Sequence, residues 1–161
     1  MNGSAVITEE PLVTSSVTLI ASGTTVCEGS QVTFTATAEN GGATPFYNWY
    51  VNDDLIASNA ENTFTYVPQN NDEVHVVLIP DQLCSAGSPT SNEIVIVVNP
   101  LTTQEHTEEA CDTYTWAVNG ETYTSSGDYT YVDGCVTHIL HLTITPSSTE
   151  EHTEAACDEF T

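Results

Sequence analysis

A stretch that occurs twice constrains this chain more than any other feature. Residues 103–115 return as residues 149–161, shifted by 46 positions (149 − 103), and nine of the thirteen positions are identical. Pro100 and Pro146 keep the same offset, so the repeat unit includes its linker and spans 100–145. Such a period is typical of tandem arrays in which each unit contacts mainly its neighbours. The chain is therefore expected to be a piece of a longer array.

Before the repeat, apolar residues alternate with polar ones in short runs. The clearest run is 31–38, where Val32 and Phe34 lie on one face and threonines lie on the other. A period of two with polar residues outward is typical of a half-buried antiparallel strand. Seven or so such runs, separated by turn signals and without helical periodicity, predict a two-sheet antiparallel sandwich with Trp49 as its core anchor.

The repeat unit also has β character. A two-residue hairpin turn is predicted at Asn119 and Gly120, where positive φ is needed. A unit of 46 residues buries little surface, so disulfides and neighbouring repeats are expected to stabilise it. The predicted strands are 113–118, 121–124, 128–132 and 136–145.

The five cysteines, at positions 27, 84, 111, 135 and 157, lack the spacing and histidine partners of a zinc site. Disulfides in an oxidising compartment fit better. From the spacing we expect Cys27 to pair with Cys84, and Cys111 with Cys135. Cys157 is the repeat equivalent of Cys111, so it is expected to stay unpaired within this chain.

The charge of the chain excludes two classes of partner. There is no Lys or Arg against 23 Asp and Glu, a net charge of −23. Nucleic-acid binding and docking to anionic membranes both depend on those cations, so neither is predicted. No apolar run is long enough for a transmembrane helix, and direct membrane insertion is not expected. Selection for a secreted, repulsive surface and compositional bias explain the missing cations equally well.

Two acidic turns are candidate cation sites. Asp53 and Asp54 lie in one, and Asp72 and Glu73 lie in the other. A strongly negative chain attracts divalent cations, and carboxylate oxygens suit calcium, which takes six to eight oxygen ligands. Calcium is therefore the candidate cofactor, but neither turn has EF-hand spacing. Ordinary acidic turns without a bound cofactor are the favoured interpretation.

The histidines do not predict a catalytic site. His138 and His141 are three residues apart in a predicted strand and point to opposite faces, which disfavours joint metal binding. His106 recurs as His152 beside glutamates. A pH-sensitive or metal-bridging contact between repeats is one interpretation, and a solvated surface histidine is the other. No nucleophile arrangement is present, so we expect no enzymatic activity.

Aromatic residues of the repeat unit allow two interpretations. They could form a sugar-stacking face, but a module this small needs most of them in its core. These residues are Tyr114, Trp116, Tyr123, Tyr129 and Tyr131.

A family resemblance covers most of the chain. Residues 22–36, 47–52 and 94–100 resemble the Ig-like and PKD-like repeats of giant Bacteroidota cell-surface adhesins, including those used in gliding motility. Residues 110–116 and 134–144 resemble a short repeat of the same proteins. The repeat, the strand pattern and the resemblance together predict four parts, which are a leader or linker at 1–14, an Ig-like/PKD-like sandwich at 15–99, a short β repeat module at 100–145, and the truncated start of the next repeat at 146–161.

The resemblance implies a structural and adhesive function at the extracellular cell surface. Such a segment of a long fibre would mediate attachment or gliding. Its expected partners are neighbouring repeats of the same chain and a surface polysaccharide or other extracellular ligand. The alternative is an accessory β module of a secreted hydrolase, binding carbohydrate. A catalytic domain in the same reading frame would support the alternative, whereas further repeats would oppose it.

Overall fold

The computed structural model describes residues 11–82 and 84–148. These residues form strands, turns and irregular segments without a helix, which confirms the predicted all-β class. The chain divides into two compact units, Met1–Leu101 and Thr102–Thr161, close to the boundary predicted at Pro100. Within the described part of the chain, no helix could span a membrane.

Most of the predicted leader and of the predicted second repeat copy lies outside the described residues, and so does Cys157.

The described part of the first unit contains nine strands. They are β1 (Ser16–Ala21), β2 (Thr25–Cys27), β3 (Val32–Glu39), β4 (Phe46–Val51), β5 (Asp54–Asn59), β6 (Thr63–Tyr66), β7 (Glu73–Ile79), β8 (Ile94–Val95) and β9 (Val97–Asn99).

The first unit is an Ig-like β-sandwich. One sheet has the order β1-β3-β6 and the other has the order β5-β4-β7-β8, and all of these pairs are antiparallel. The chain leaves the first sheet after Ala21, and β2 then pairs with β9 in a parallel direction, Thr25 opposite Val97. The sequence predicted a strictly antiparallel sandwich. The structure instead contains one pair of parallel strands, in which the second strand of the unit lies beside its last strand.

The core of the first unit follows the alternation seen in the sequence. Val32 and Phe34 of β3 are fully buried, as are Val76 and Leu78 of β7. Trp49 on β4 is also fully buried and stacks on a phenylalanine of β6, with ring centroids 5.5 Å apart. No described cysteine belongs to this core, so apolar packing rather than an inter-sheet disulfide joins the two sheets.

The second unit is smaller and has a mixed sheet. Its sheet has the order β10-β14-β13, and a separate hairpin joins β11 to β12. β14 is central, parallel to β10 and antiparallel to β13. The bounds are β10 (Thr102–Cys111), β11 (Tyr114–Thr115), β12 (Thr122–Tyr123), β13 (Gly127–Asp133) and β14 (Val136–Thr145).

A single apolar face of this sheet is covered. Trp116, Leu140 and Leu142 form its buried centre.

The first nine residues of the repeated stretch form most of β10, a strand that the sequence pattern does not predict. β10 is an edge strand whose residues are exposed on both faces except at His106 and Ala110, so the apolar alternation that marks a strand is missing.

The disulfide pairing differs from the prediction. Cys27 and Cys135 are each disulfide-bonded, whereas Cys84 and Cys111 are exposed free thiols. Neither predicted pair, Cys27 with Cys84 or Cys111 with Cys135, is therefore formed. Because Cys111 ends β10 and Cys135 directly precedes β14, the parallel register separates them by a whole strand, roughly 30 Å. A disulfide needs Cα atoms within about 7 Å.

Cys27 and Cys84 are separated in a similar way. Cys27 lies opposite Asn99 at one end of the sandwich. At the same end, the backbone N–H of Val98 donates a hydrogen bond to the side-chain oxygen of Asn70. Cys84 follows the far end of β7, and its carbonyl oxygen accepts a hydrogen bond from Val13. The length of β7, roughly 20 Å, lies between these two ends.

Candidate functional site

The chain enters and leaves the second unit at opposite ends. β10 and β14 run parallel over ten paired positions, from Thr102 opposite Val136 to Cys111 opposite Thr145. The first strand of the unit therefore starts at one end of the sheet, and the last strand finishes at the other end. Entry and exit are separated by roughly 30 Å, the length of the strand pair.

The first unit has the same polarity. Val13, just before β1, donates a hydrogen bond to the Cys84 carbonyl at one end of the sandwich. Val98, in the last strand, donates to Asn70 at the other end. Each unit, taken by itself, thus passes the chain from one end to the opposite end.

Asp112 forms hydrogen bonds with the segment that follows β14, the last strand of the second unit. Its carboxylate accepts hydrogen bonds from the backbone N–H of Ser147 at 2.8 Å and from the Ser147 hydroxyl at 2.7 Å. The Ser147 N–H, followed by its hydroxyl, lowers the pKa of this carboxyl below its ordinary value. Asp112 has a φ of 61°, and its own N–H donates to Thr145. The residue after the repeated cysteine therefore holds the segment that leaves β14.

The turn that contains Asp72 is held by the protein's own donors. Asp72 is 8% exposed. One carboxylate oxygen accepts from Asn52 Nδ2 at 2.9 Å, and the other accepts from the Gln69 N–H at 2.8 Å and the Tyr66 hydroxyl at 3.1 Å. Asn52 also accepts a hydrogen bond from the Glu73 N–H at 3.0 Å. The two predicted acidic turns are therefore joined by hydrogen bonds.

The surroundings of Tyr66 change the pKa of its hydroxyl group. Its pKa is raised well above the ordinary value of 10, mainly by burial and then by the negative charge of Asp72 and the hydrogen bond to it. Because the phenol donates to a carboxylate, it resists ionisation.

The candidate calcium ligands do not converge in the structure. Asp53 lies in the turn between β4 and β5, Asp54 is the first residue of β5, and both are exposed, while Asp72 accepts hydrogen bonds from protein donors. Across residues 11–82 and 84–148, no group of three or more His, Cys, Asp or Glu side chains is arranged to hold a metal ion. Calcium binding by these turns stays a prediction.

Two histidines meet on the inner face of the second unit. His106 Nε2 lies 3.3 Å from His138 Nδ1, and both side chains are half-buried. The indole of Trp116 packs edge-on against both rings, at centroid distances of 5.8 and 6.5 Å. His141 points to the other face, as predicted, and its Nδ1 lies 2.7 Å from an Asp128 oxygen.

The aromatic residues of the second unit belong mainly to its core. Trp116 is 2% exposed, and three tyrosines pack against the cluster that it forms with Leu140 and Leu142, which matches the core interpretation. Tyr131, at 37% exposure, is the exception. The three packed tyrosines are Tyr114, Tyr123 and Tyr129.

The outer face of the larger sheet in the first unit carries exposed apolar groups. Phe46 is 50% exposed and lies opposite the exposed Ile79. Tyr50 stacks on His75 with centroids 4.8 Å apart and planes 7° apart.

A separate open groove of about 360 Å³ contains none of the predicted site residues. Its lining is Glu28, Pro68, Gln69, Asn70, Val98 and Pro100.

Comparison of the chain with protein-family models and with curated proteins finds no match. The site residues therefore rest on geometry alone. Sequence reasoning missed the bond from Asp112 to Ser147 and the contact of His106 with His138. One signal was available, because His106 and Asp112 both recur at the same positions of the second repeat copy.

Proposed function

We propose that the chain is a structural, non-catalytic segment of a long secreted fibre at the cell surface, which mediates attachment or gliding. The observation on which the proposal rests is the polarity of each unit. Because the chain enters one end of a unit and leaves at the other, tandem repetition lengthens an array instead of folding it back. Each further 46-residue repeat would add roughly 30 Å.

The parallel terminal strands suit a chain under tension. Pulling on Thr102 and Thr145 in opposite directions would slide β10 along β14. The hydrogen bonds of all ten paired positions would then be loaded together rather than one after another. A fibre that attaches a cell to a surface needs this property.

The cysteines add support for an exported protein. Cys27 and Cys135 are disulfide-bonded, and disulfides persist in oxidising compartments outside the cytosol. The extracellular surface is the compartment we propose. The resemblance to adhesin repeats agrees with this location and with an adhesive role.

The exposed face of the first unit favours a second candidate function. Phe46 is half-exposed, and aromatic rings on a flat sheet can stack against sugar rings. An accessory carbohydrate-binding module of a secreted hydrolase would use such a face. This candidate does not require the end-to-end polarity of the units.

Immunogold labelling of intact source cells, with an antibody raised against residues 15–145, separates the two functions. The fibre proposal predicts label along threads that extend from the cell. Label confined to the culture medium, on a compact protein with hydrolase activity, would replace the proposal with the second candidate. A blot of the medium under non-reducing conditions completes the comparison.

A further inference from the structure

We propose that His106 and His138 together bind a divalent transition-metal ion, with Zn²⁺ the best fit. The two residues are 32 positions apart and meet because β10 and β14 pair in parallel. In that register Gln104 lies opposite His138, and His106 lies opposite the next inward residue, Leu140. Both imidazoles therefore project from the same face of the sheet.

The separation of the two ring nitrogens matches a tetrahedral ion. His106 Nε2 and His138 Nδ1 are 3.3 Å apart. Two nitrogens at 2.0–2.1 Å from one tetrahedral Zn²⁺ stand about 3.3–3.4 Å apart. A square-planar ion with similar bond lengths would bring adjacent nitrogens to about 2.8–3.0 Å, which requires the rings to move. The pair thus favours Zn²⁺ over Cu²⁺ on geometry.

The surroundings hold the rings in place. Trp116 is 2% exposed and packs edge-on against both imidazoles, while Tyr131 lies 6.5 Å from the His138 ring. Part of the entropy of ordering the two ligands is therefore lost on folding rather than on metal binding. The rings remain half-exposed, so water can complete the coordination of the ion.

The charge of the chain favours a cation at this position. The sequence has no Lys or Arg, and its net charge is −23. The overall field therefore raises the local concentration of divalent cations. Imidazole nitrogens then select a transition metal over calcium or magnesium, which prefer oxygen ligands.

Metal binding would change the hydrogen bonding of the pair. At 3.3 Å one imidazole can donate an N–H to the facing nitrogen of the other, with the two roles set by the ring tautomers. Both facing nitrogens must present a lone pair to the metal. Starting from two neutral rings, the donor ring carries its proton on its other nitrogen in the metal-bound state, without a net gain or loss of protons. The proposal holds whether or not the chain belongs to a fibre.

Zn²⁺ titration of the full chain, followed by NMR of the histidine ring nitrogens, tests the proposal. Free thiols are first alkylated, because Cys84 and Cys111 are exposed and could bind zinc themselves. We expect saturable shifts at His106 Nε2 and His138 Nδ1, with little change at His75 and His141. Equivalent titrations with Ca²⁺ should leave the two imidazoles unchanged.

Calorimetry with matched variants gives the second measurement. His106→Gln and His138→Gln should each weaken Zn²⁺ binding at least about tenfold, since each removes a direct ligand. His141→Gln, on the same strand but the opposite face, should bind as the parent does. Near-UV circular dichroism shows whether each variant keeps the packing of Trp116.

Two results would overturn the proposal. One is a wild-type titration in which zinc shifts carboxylates or other histidines but neither His106 nor His138. The other is a folded His106→Gln variant with the parent's affinity. The wild-type NMR result decides the matter even if both glutamine variants unfold.

Discussion

Replacing Asp72 with alanine should destabilise the first unit more than any other substitution of a carboxylate in its turns. Asp72 accepts three hydrogen bonds, from Asn52, Gln69 and Tyr66, at 2.8 to 3.1 Å. A hydrogen bond to a charged group contributes about 1.5–3 kcal/mol. Since the donors can partly rebond to water, we expect a loss of about 3 kcal/mol rather than the full sum.

Asp72→Asn tests the geometry more finely. Its amide oxygen can replace the carboxylate oxygen that serves Gln69 and Tyr66, but its NH₂ group then faces Asn52 Nδ2. Asn52 cannot rotate its amide without losing the bond from the Glu73 N–H at 3.0 Å. The isosteric variant should therefore lose about 1–2 kcal/mol, between the parent and the alanine variant.

Urea unfolding monitored by Trp49 fluorescence measures the effect. The chain has two tryptophans, so a Trp116→Phe background leaves Trp49 as the only one. With an m-value of about 1–3 kcal/mol per molar urea, a loss of 3 kcal/mol lowers the midpoint by about 1–3 M.

Asp54→Asn is the matched control for these variants. It removes the same charge from an exposed position at the start of β5, directly after the neighbouring turn. Relief of repulsion in a chain of net charge −23 should make this variant neutral or slightly more stable. If the midpoints for Asp72→Ala and Asp54→Asn coincide, the hydrogen-bonded tie between the two turns does not stabilise the unit.

Three further predictions concern Tyr66, Gly42 and the free thiols. Because burial and Asp72 raise the pKa of Tyr66, the folded state keeps that proton longer than the unfolded state, so stability falls as pH rises above 10. Tyr66→Phe should show a smaller loss in urea unfolding between pH 9 and pH 11, and an unchanged loss would contradict the assignment. Gly42→Ala should destabilise the chain by at least about 1 kcal/mol, because its φ is +89° and a Cβ would lie 2.5 Å from the Asp81 carbonyl oxygen. Gly29→Ala, with φ +82° and nothing within 4 Å, is its control in thermal unfolding, and equal losses would show that the close approach is unimportant. In native protein, iodoacetamide should label Cys84 and Cys111, while the two disulfide-bonded cysteines should react only after reduction. Mass spectrometry of Glu-C peptides measures this, and protection of both thiols would restore the pairing expected from the sequence.

The sandwich could be predicted because its signal is local. Val32 and Phe34 alternate with threonines, and the structure buries both of them completely. The burial of Trp49 follows from the same logic, since a large apolar ring in a predicted strand belongs in the core. β10 could not be found in this way, because an edge strand exposed on both faces has no apolar period.

The contacts of the candidate sites also depend on strand pairing, which the sequence pattern does not predict. His106 was recognised as a repeated residue, but its contact with His138 depends on the partner and direction of β10. Cysteine spacing likewise predicted two pairs, Cys27 with Cys84 and Cys111 with Cys135, that the structure does not form. Once β10 and β14 run parallel, Cys111 and Cys135 stand at opposite ends of the sheet.

The sequence by itself determined the all-β class and the repeat period. These are properties of composition and of neighbours along the chain. Only the tertiary structure decided that the terminal strands run parallel, that each unit passes the chain from end to end, and that two histidines meet. Strand direction and register are chosen by contacts between residues far apart in the chain, and the alternation within a strand is the same whichever partner it takes.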